Sequence, residues 1–333
     1  MALTADTWPI AGAMLPFPDA HPVRSDLSDE LAGEWRRALD AARRAGFDAI
    51  DLTDSWLRPG DLSAAQLDAL ARLAAASGLR IPSISVIRRS VIDERLGDQH
   101  LAYSHRTLDA AAELGAVVVS VGLHRPLTEA QRRRLWFWTA EGHRDDFGDP
   151  EARGLAVTRF RELGRHAAEL GLLLSLELYE HTYLGTAESA MRLVEQIDLP
   201  NVGLNPDIGN LVRLHEPVED WRELVRDTLP YANFWHVKNY HRDEDPVTGA
   251  VLTLPSYLEN GLIDYREAFR VAIESGFQGV ICAEHYGGDG LSVSAANRDY
   301  LRERVLPTSD YTPGQSLVDQ RIERASVRPE AAR

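Results

Sequence analysis

Glu177, Asp207, His236 and Glu284 are the residues of this chain best placed to do chemistry together. Each closes a short apolar run: Leu-Leu-Leu-Ser-Leu-Glu177, Val-Gly-Leu-Asn-Pro-Asp207, Ala-Asn-Phe-Trp-His236 and Val-Ile-Cys-Ala-Glu284. They are spaced by 30, 29 and 48 residues, and the first two gaps match one strand-plus-helix unit. If the runs are successive parallel strands, all four side chains meet at one end of one sheet. Three carboxylates gathered there repel one another, and a divalent cation removes that repulsion. Such an oxygen-rich set with one imidazole suits Mn²⁺ first, with Mg²⁺ or Co²⁺ as alternatives. Structural zinc prefers thiolates and imidazoles. Four protein ligands on an octahedral ion leave two positions, enough for a vicinal pair of substrate oxygens.

The elements that must position these groups repeat along the chain. Helical patterns end in glycine at Gly46, Gly78, Gly115, Gly171 and Gly276, and an apolar run follows each. Strands are expected near 9–16, 47–54, 79–87, 116–124, 172–179, 202–208, 231–239 and 277–286. Helices are expected near 28–45, 63–77, 98–114, 151–170, 186–198, 217–229, 264–275 and 293–305. Strict alternation, eight times over, predicts an α/β (β/α)₈ TIM barrel over residues 1–306. An open doubly wound sheet is the alternative, but no G-x-G-x-x-G follows the first strand. Residues 125–150 and 240–263 form long strand-to-helix loops on the catalytic face. Residues 307–333 form a polar C-terminal tail, an arm or a disordered segment.

Side chains alternate along a strand. Glu177 therefore shares a face with Ser175 and Tyr179, Asp207 with Gly203 and Asn205, His236 with Phe234 and Lys238, and Glu284 with Val280 and Cys282. The polar members fall on the face that looks into the barrel, and the aliphatic ones on the face that meets the helices.

Bulk properties exclude several classes. The net charge of −15 argues against a nucleic-acid or anionic-membrane partner. Cys282 is the lone cysteine, so no disulfide forms within the chain, as suits a reducing compartment. The N-terminal residues show no basic signal-peptide region, and no apolar run is long enough to span a membrane. A cytoplasmic protein is expected. There is no G-x-S-x-G elbow and no P-loop.

The segments SLELYEHTYLGT (175–186), NVGLNPDIGN (201–210), FWHVKNYHR (234–242) and CAEHYGGDG (282–290) resemble the xylose-isomerase-like TIM barrels, the sugar isomerase/epimerase superfamily. The resemblance covers about residues 8–305. It implies that Glu177, Asp207, His236 and Glu284 hold one divalent metal, and that Glu177 and Glu284 act as acid/base groups on a carbohydrate. It implies substrate contact by Arg242, six residues after the metal His. Asn210 stands where the family often has a substrate-binding His. Lys238, which shares a strand face with His236, and His181, just past Glu177, are further substrate-binding candidates. The chemistry expected is proton abstraction beside a carbonyl to give an enediolate.

The loop 125–150 carries Trp136, Phe137, Trp138 and His143. Its rings, Trp138 among them, are expected to stack on substrate, with Trp8, Trp56 and Trp235 nearby. In this the chain resembles the catalytic subunit of bacterial C-glycoside deglycosidases. That likeness implies carbon–carbon cleavage of a 3-keto-C-glycoside, His143 as the acid for the aglycone carbon, and a small β subunit as partner in an oligomer. The alternative is a ketose or sugar-phosphate isomerase or epimerase. A metal-dependent phosphodiesterase and a non-catalytic carbohydrate-binding barrel are the remaining readings.

Overall fold

The computed structural model describes residues 2–22 and 28–320. Among the described residues ten strands are formed: β1 (Ile10–Ala13), β2 (Ala49–Thr53), β3 (Arg80–Ser85), β4 (Val118–Val121), β5 (Leu173–Glu177), β6 (Val202–Asn205), β7 (Phe234–Val237), β8 (Asn239–Glu244), β9 (Val251–Ser256) and β10 (Val280–Ala283). The helices are α1 (Asp29–Arg44), α2 (Ala64–Ala76), α3 (Gly97–Leu114), α4 (Glu129–Arg132), α5 (Pro150–Glu169), α6 (Ala187–Ile197), α7 (Gly209–Val212), α8 (Trp221–Thr228), α9 (Tyr265–Glu274) and α10 (Gly290–Tyr300).

Eight strands make one parallel sheet in the order β6-β5-β4-β3-β2-β1-β10-β7. The sheet closes on itself between β6 and β7 through the single parallel bridge Leu204–Ala232. The expected (β/α)₈ barrel is therefore the fold. At that weakly paired seam the Asn205 side chain accepts a hydrogen bond from the His236 N–H at 2.7 Å. A side chain thus replaces a missing ladder bond at the strand that carries His236.

Local chemistry explains the helix ends. Ser63 and Gln66 form a reciprocal capping box on α2, and Asp149 caps α5 ahead of Pro150. Gly115 ends α3 with φ of 79°, a conformation other residues avoid. Outward strand residues such as Ile50, Ile84, Val119, Leu174, Leu204 and Ile281 form the main core with the helices. Inside the barrel, Ala11, Ala13, Ala49, Val118, Leu173, Phe234, Val280 and Cys282 form a smaller apolar layer.

The strands are shorter than expected, because the polar ends leave the ladder to build loops. The segment 240–263 contains a hairpin, β8 paired antiparallel with β9. Its strands are largely polar or half exposed, so no strong alternation marked it. Residues 307–320 lie against the chain's own barrel at the N-terminal ends of the strands. Gly314 N donates to Ile273 O at 2.9 Å, Leu317 N to Pro230 O at 2.9 Å and Asp319 N to Pro200 O at 2.7 Å. A Cβ on Gly314 would stand 1.7 Å from Glu274 O, so only glycine permits this approach. The rest of the expected tail, 321–333, lies outside the described residues. Among the described residues, no helix is long and apolar enough to cross a membrane.

Candidate metal centre

Glu177 ends β5, Asp207 follows β6, His236 sits in β7 and Glu284 follows β10. Their strands form one arc of the barrel, with Glu177 and Glu284 at its two ends. All four side chains are buried. His236 Nδ1 lies 3.1 Å from Glu284 Oε2, 3.6 Å from Asp207 Oδ2 and 3.8 Å from Glu177 Oε1. Parity within the strands and the shared strand-end position bring the four together.

Lys238 is the fifth member. It is not a rim residue: its Nζ is 2.8 Å from Asp207 Oδ2 and 3.2 Å from Glu284 Oε2. Asn210 opens onto the same cluster, its Nδ2 donating to Glu177 Oε1 and Leu178 O, both at 2.9 Å. Gly209 makes this packing possible, since a Cβ there would meet Lys238 Cγ at 2.5 Å.

Electrostatics favour the ionised form of the two glutamates. Burial opposes the Glu284 carboxylate, but Lys238 and His236 hold it down to about 2. Burial also opposes Glu177, yet His124, His236 and Lys238 hold it well below the usual carboxylate range. Asp207 moves the other way, raised by burial. Lys238, despite burial, is held well above its usual value by Asp207 and Glu284.

The donor atoms fit a cation. Glu177 Oε2, Asp207 Oδ1 and His236 Nδ1 are buried and make no hydrogen bond within the protein, and Asp207 Oδ2 meets the Lys238 ammonium. Atoms of Glu177, Asp207 and His236 lie within 4.8 Å of one another. Buried groups of this kind require a partner, and a divalent ion satisfies them together.

Beneath the cluster runs a buried chain of hydrogen bonds. Ser85 Oγ donates to Asp51 Oδ1 at 3.0 Å and lies 3.1 Å from His236 Nε2. Burial raises the Asp51 carboxyl, and donation from Ser85 and from Thr53 at 3.1 Å opposes this.

His124 was not singled out from the sequence. Its Nδ1 accepts from the Arg88 N–H at 3.2 Å, so the proton of the neutral ring sits on Nε2, 3.3 Å from Glu177 Oε2. The alternation through Val118 and Ser120 extends to position 124 and is the signal that finds it.

Several expected contacts fall elsewhere. Arg242 does not face the cluster. It donates to the carbonyls of Val212, Leu214 and Glu216 and pairs with Glu244, so its donors are spent tying the hairpin to the loop after α7. His143 is exposed and lines a neighbouring cavity with His181, apart from the four. His181 itself binds Glu216 at 2.7 Å. Trp138 is buried in an aromatic cluster, its Nε1 donating to Thr253 Oγ1 at 3.1 Å, and does not line the metal cavity. Trp8, Trp56 and Trp235 are core residues.

That aromatic cluster roofs the site. Trp138 stacks on Trp136 at 5.1 Å and meets Tyr240 and Tyr286 edge-on. The Arg213 guanidinium lies 4.8 Å from the Phe137 ring and 5.1 Å from Trp138, and donates to both Glu180 oxygens at 2.9 and 2.8 Å. The pair is almost wholly buried, at 0% and 5% side-chain exposure. Glu180→Gln, which strands the arginine, is expected to cost about 3–5 kcal/mol in urea denaturation. A loss below about 1 kcal/mol would show that water reaches the pair.

Beneath this roof the cavity lined by Glu177, His236, Glu284, His124, Arg88, Tyr179 and Tyr286 measures about 20 Å³. It admits one or two water-sized groups.

A profile of the xylose isomerase-like TIM barrel family matches residues 39–304. The chain is similar to L-ribulose-5-phosphate 3-epimerase UlaE of Escherichia coli, at 24% identity over 82% of this chain and 91% of that protein. It is also similar to a solved xylose isomerase-like TIM barrel protein from Mycobacterium smegmatis in complex with magnesium. Identity there is 45%, TM-score 0.84 and coverage 90% of this chain and 97% of the other. The structure of 3-keto-D-glucoside 4-epimerase YcjR from E. coli shares the fold at 16% identity and TM-score 0.55, over 88% of this chain and 97% of that one. With the closed eight-stranded barrel and a profile match over most of its length, the chain belongs to the xylose isomerase-like TIM barrel family.

Proposed function

We propose that this protein is a divalent-metal-dependent epimerase or isomerase acting on a ketose. One observation carries the reading: two buried carboxylates, Glu177 and Glu284, flank His236 Nδ1 from opposite ends of one arc at the strand ends of the barrel. A divalent cation held by Glu177, Asp207, His236 and Glu284 supplies the positive charge that acidifies a C–H beside a carbonyl. The protein's own groups do the proton work. Either glutamate, held ionised, can take the proton from carbon. Return by the same glutamate to the neighbouring carbon, with the hydroxyl proton passing from one oxygen to the other, gives isomerisation. Return by the opposite one, protonated from solvent, gives inversion. His124 and Asn210 orient Glu177, and Lys238 orients Glu284.

The similarity to a ribulose-phosphate 3-epimerase along most of the chain supports this reading over carbon–carbon cleavage. So does the place of His143, outside the metal cavity. Magnesium in the solved relative supports a divalent ion of the hard class, as Mg²⁺ or Mn²⁺.

Protein loaded with Mg²⁺ or Mn²⁺ is expected to place solvent deuterium on carbon when incubated with L-ribulose, L-ribulose 5-phosphate, D-allulose or a 3-keto-glucoside in D₂O, read by NMR. Chelation should abolish the exchange. Release of an aromatic aglycone from a 3-keto-C-glycoside would move the assignment to cleavage, and exchange that survives chelation would remove the metal from it.

A further inference from the structure

Arg88 stands apart from the other arginines around the barrel mouth. Arg89 pairs with Asp54, Arg125 with Asp145, Arg213 with Glu180 and Arg242 with Glu244. Among the described residues, no carboxylate lies within 4.0 Å of the Arg88 guanidinium, although it lines the cavity shared by Glu177, His236 and Glu284. It is half-buried, with Nη1 donating to Tyr179 OH at 3.2 Å and its Cζ 4.7 Å from the Phe137 ring centroid.

The backbone is shaped to put it there. Arg88 has φ of 55°, an unusual conformation for a residue with a side chain. Its N–H bond to His124 Nδ1 helps to hold that turn. Backbone held in a sparsely populated region marks positions where geometry serves function.

Charge balance says what the guanidinium faces. The three carboxylates of the cluster are matched by Lys238 and a divalent cation. Proton transfer between substrate carbon and a glutamate moves charge within the cavity and creates none. Arg88 is therefore one positive charge in excess, at a half-buried position on the cavity wall. Its planar fork of donors matches phosphate or carboxylate oxygens.

We propose that Arg88 anchors an anionic group, a phosphate or a carboxylate, carried by the ketose that this site takes. The inference rests on the ketose reading above and narrows its substrate class.

The test is calorimetric binding to the full-length, Mg²⁺-loaded protein, using two matched pairs: L-ribulose 5-phosphate against L-ribulose, and D-tagaturonate against D-tagatose. The anionic member of at least one pair is expected to bind tenfold or more tightly than its neutral partner, and which pair shows it separates phosphate from carboxylate. Arg88→Gln should erase the preference while leaving Mg²⁺ affinity within about twofold. Arg88→Lys, which keeps the charge and loses the fork, should retain only part of it. Equal binding within both pairs, no binding by any probe, or a preference that survives in Arg88→Gln would overturn the proposal. Anion-selective binding without carbon–deuterium exchange would leave the anchor standing and remove the epimerase reading. Exchange with neutral ketoses, without anion preference, would do the reverse.

Discussion

Glu284→Gln is expected to lower turnover by about 10²–10⁴-fold at saturating metal, the range for loss of a positioned acid/base group. The substitution keeps the shape and removes both the charge and the basic oxygen. Glu284 Oε2 is the carboxylate oxygen nearest His236 Nδ1, at 3.1 Å, and also meets Lys238 at 3.2 Å. An amide in its place would leave the buried ammonium with Asp207 alone, so metal affinity should fall as well. The two losses are separable: titrating Mn²⁺ to saturation restores occupancy and not the missing base. Glu177→Gln should behave alike, with the added conflict that its Oε1 accepts from Asn210 and an amide must present oxygen there. Deuterium exchange at carbon, followed by NMR with metal content measured in parallel, is the readout. Full exchange in Glu284→Gln at saturating metal would end its assignment as an acid/base group.

The second large effect lies below the metal residues. Ser85→Ala is expected to weaken Mn²⁺ binding about 10–100-fold, the usual cost of losing the partner that orients a ligating imidazole. Without the Ser85 oxygen, His236 Nε2–H points into a dry interior, and the ring is free to tilt or to change tautomer. Asp51→Asn should weaken binding through the same path, because an amide can reverse the donor direction of Ser85. Ser85→Thr retains the hydroxyl and should keep most of the affinity. Ser175→Ala is the control: its buried hydroxyl makes no hydrogen bond, and it shares the level of Ser85 through the in-register neighbour Ser120. Calorimetric titration, with circular dichroism to check folding, decides it. Unchanged affinity in a folded Ser85→Ala protein would show that Asn205 and packing alone orient His236.

Particular residues show how much was legible beforehand. Strand-end positions and two-residue alternation placed Glu177, Asp207, His236 and Glu284 in one cluster, because a parallel barrel sends every strand end to one face. The same alternation, carried past the end of β4, reaches His124. It fails for Arg88, where a left-handed turn reverses the direction that strand parity predicts. The place of Arg242, expected from the resemblance alone, depends on the separate hairpin that its strand forms with β9.

What the sequence determined by itself was therefore whatever follows from short-range periodicity: the alternating elements, their caps, the inward faces and the donor types gathered at the strand ends. Tertiary structure alone decided the pairings between segments distant along the chain. Asp51, Ser85 and His236 join three strands into one hydrogen-bonded path, Glu180 and Arg213 meet under the aromatic roof, and Arg88 has no carboxylate partner among the described residues. The physical reason is that a strand's period fixes which way a side chain points, whereas the partner it meets depends on how the barrel closes and where its loops fold back.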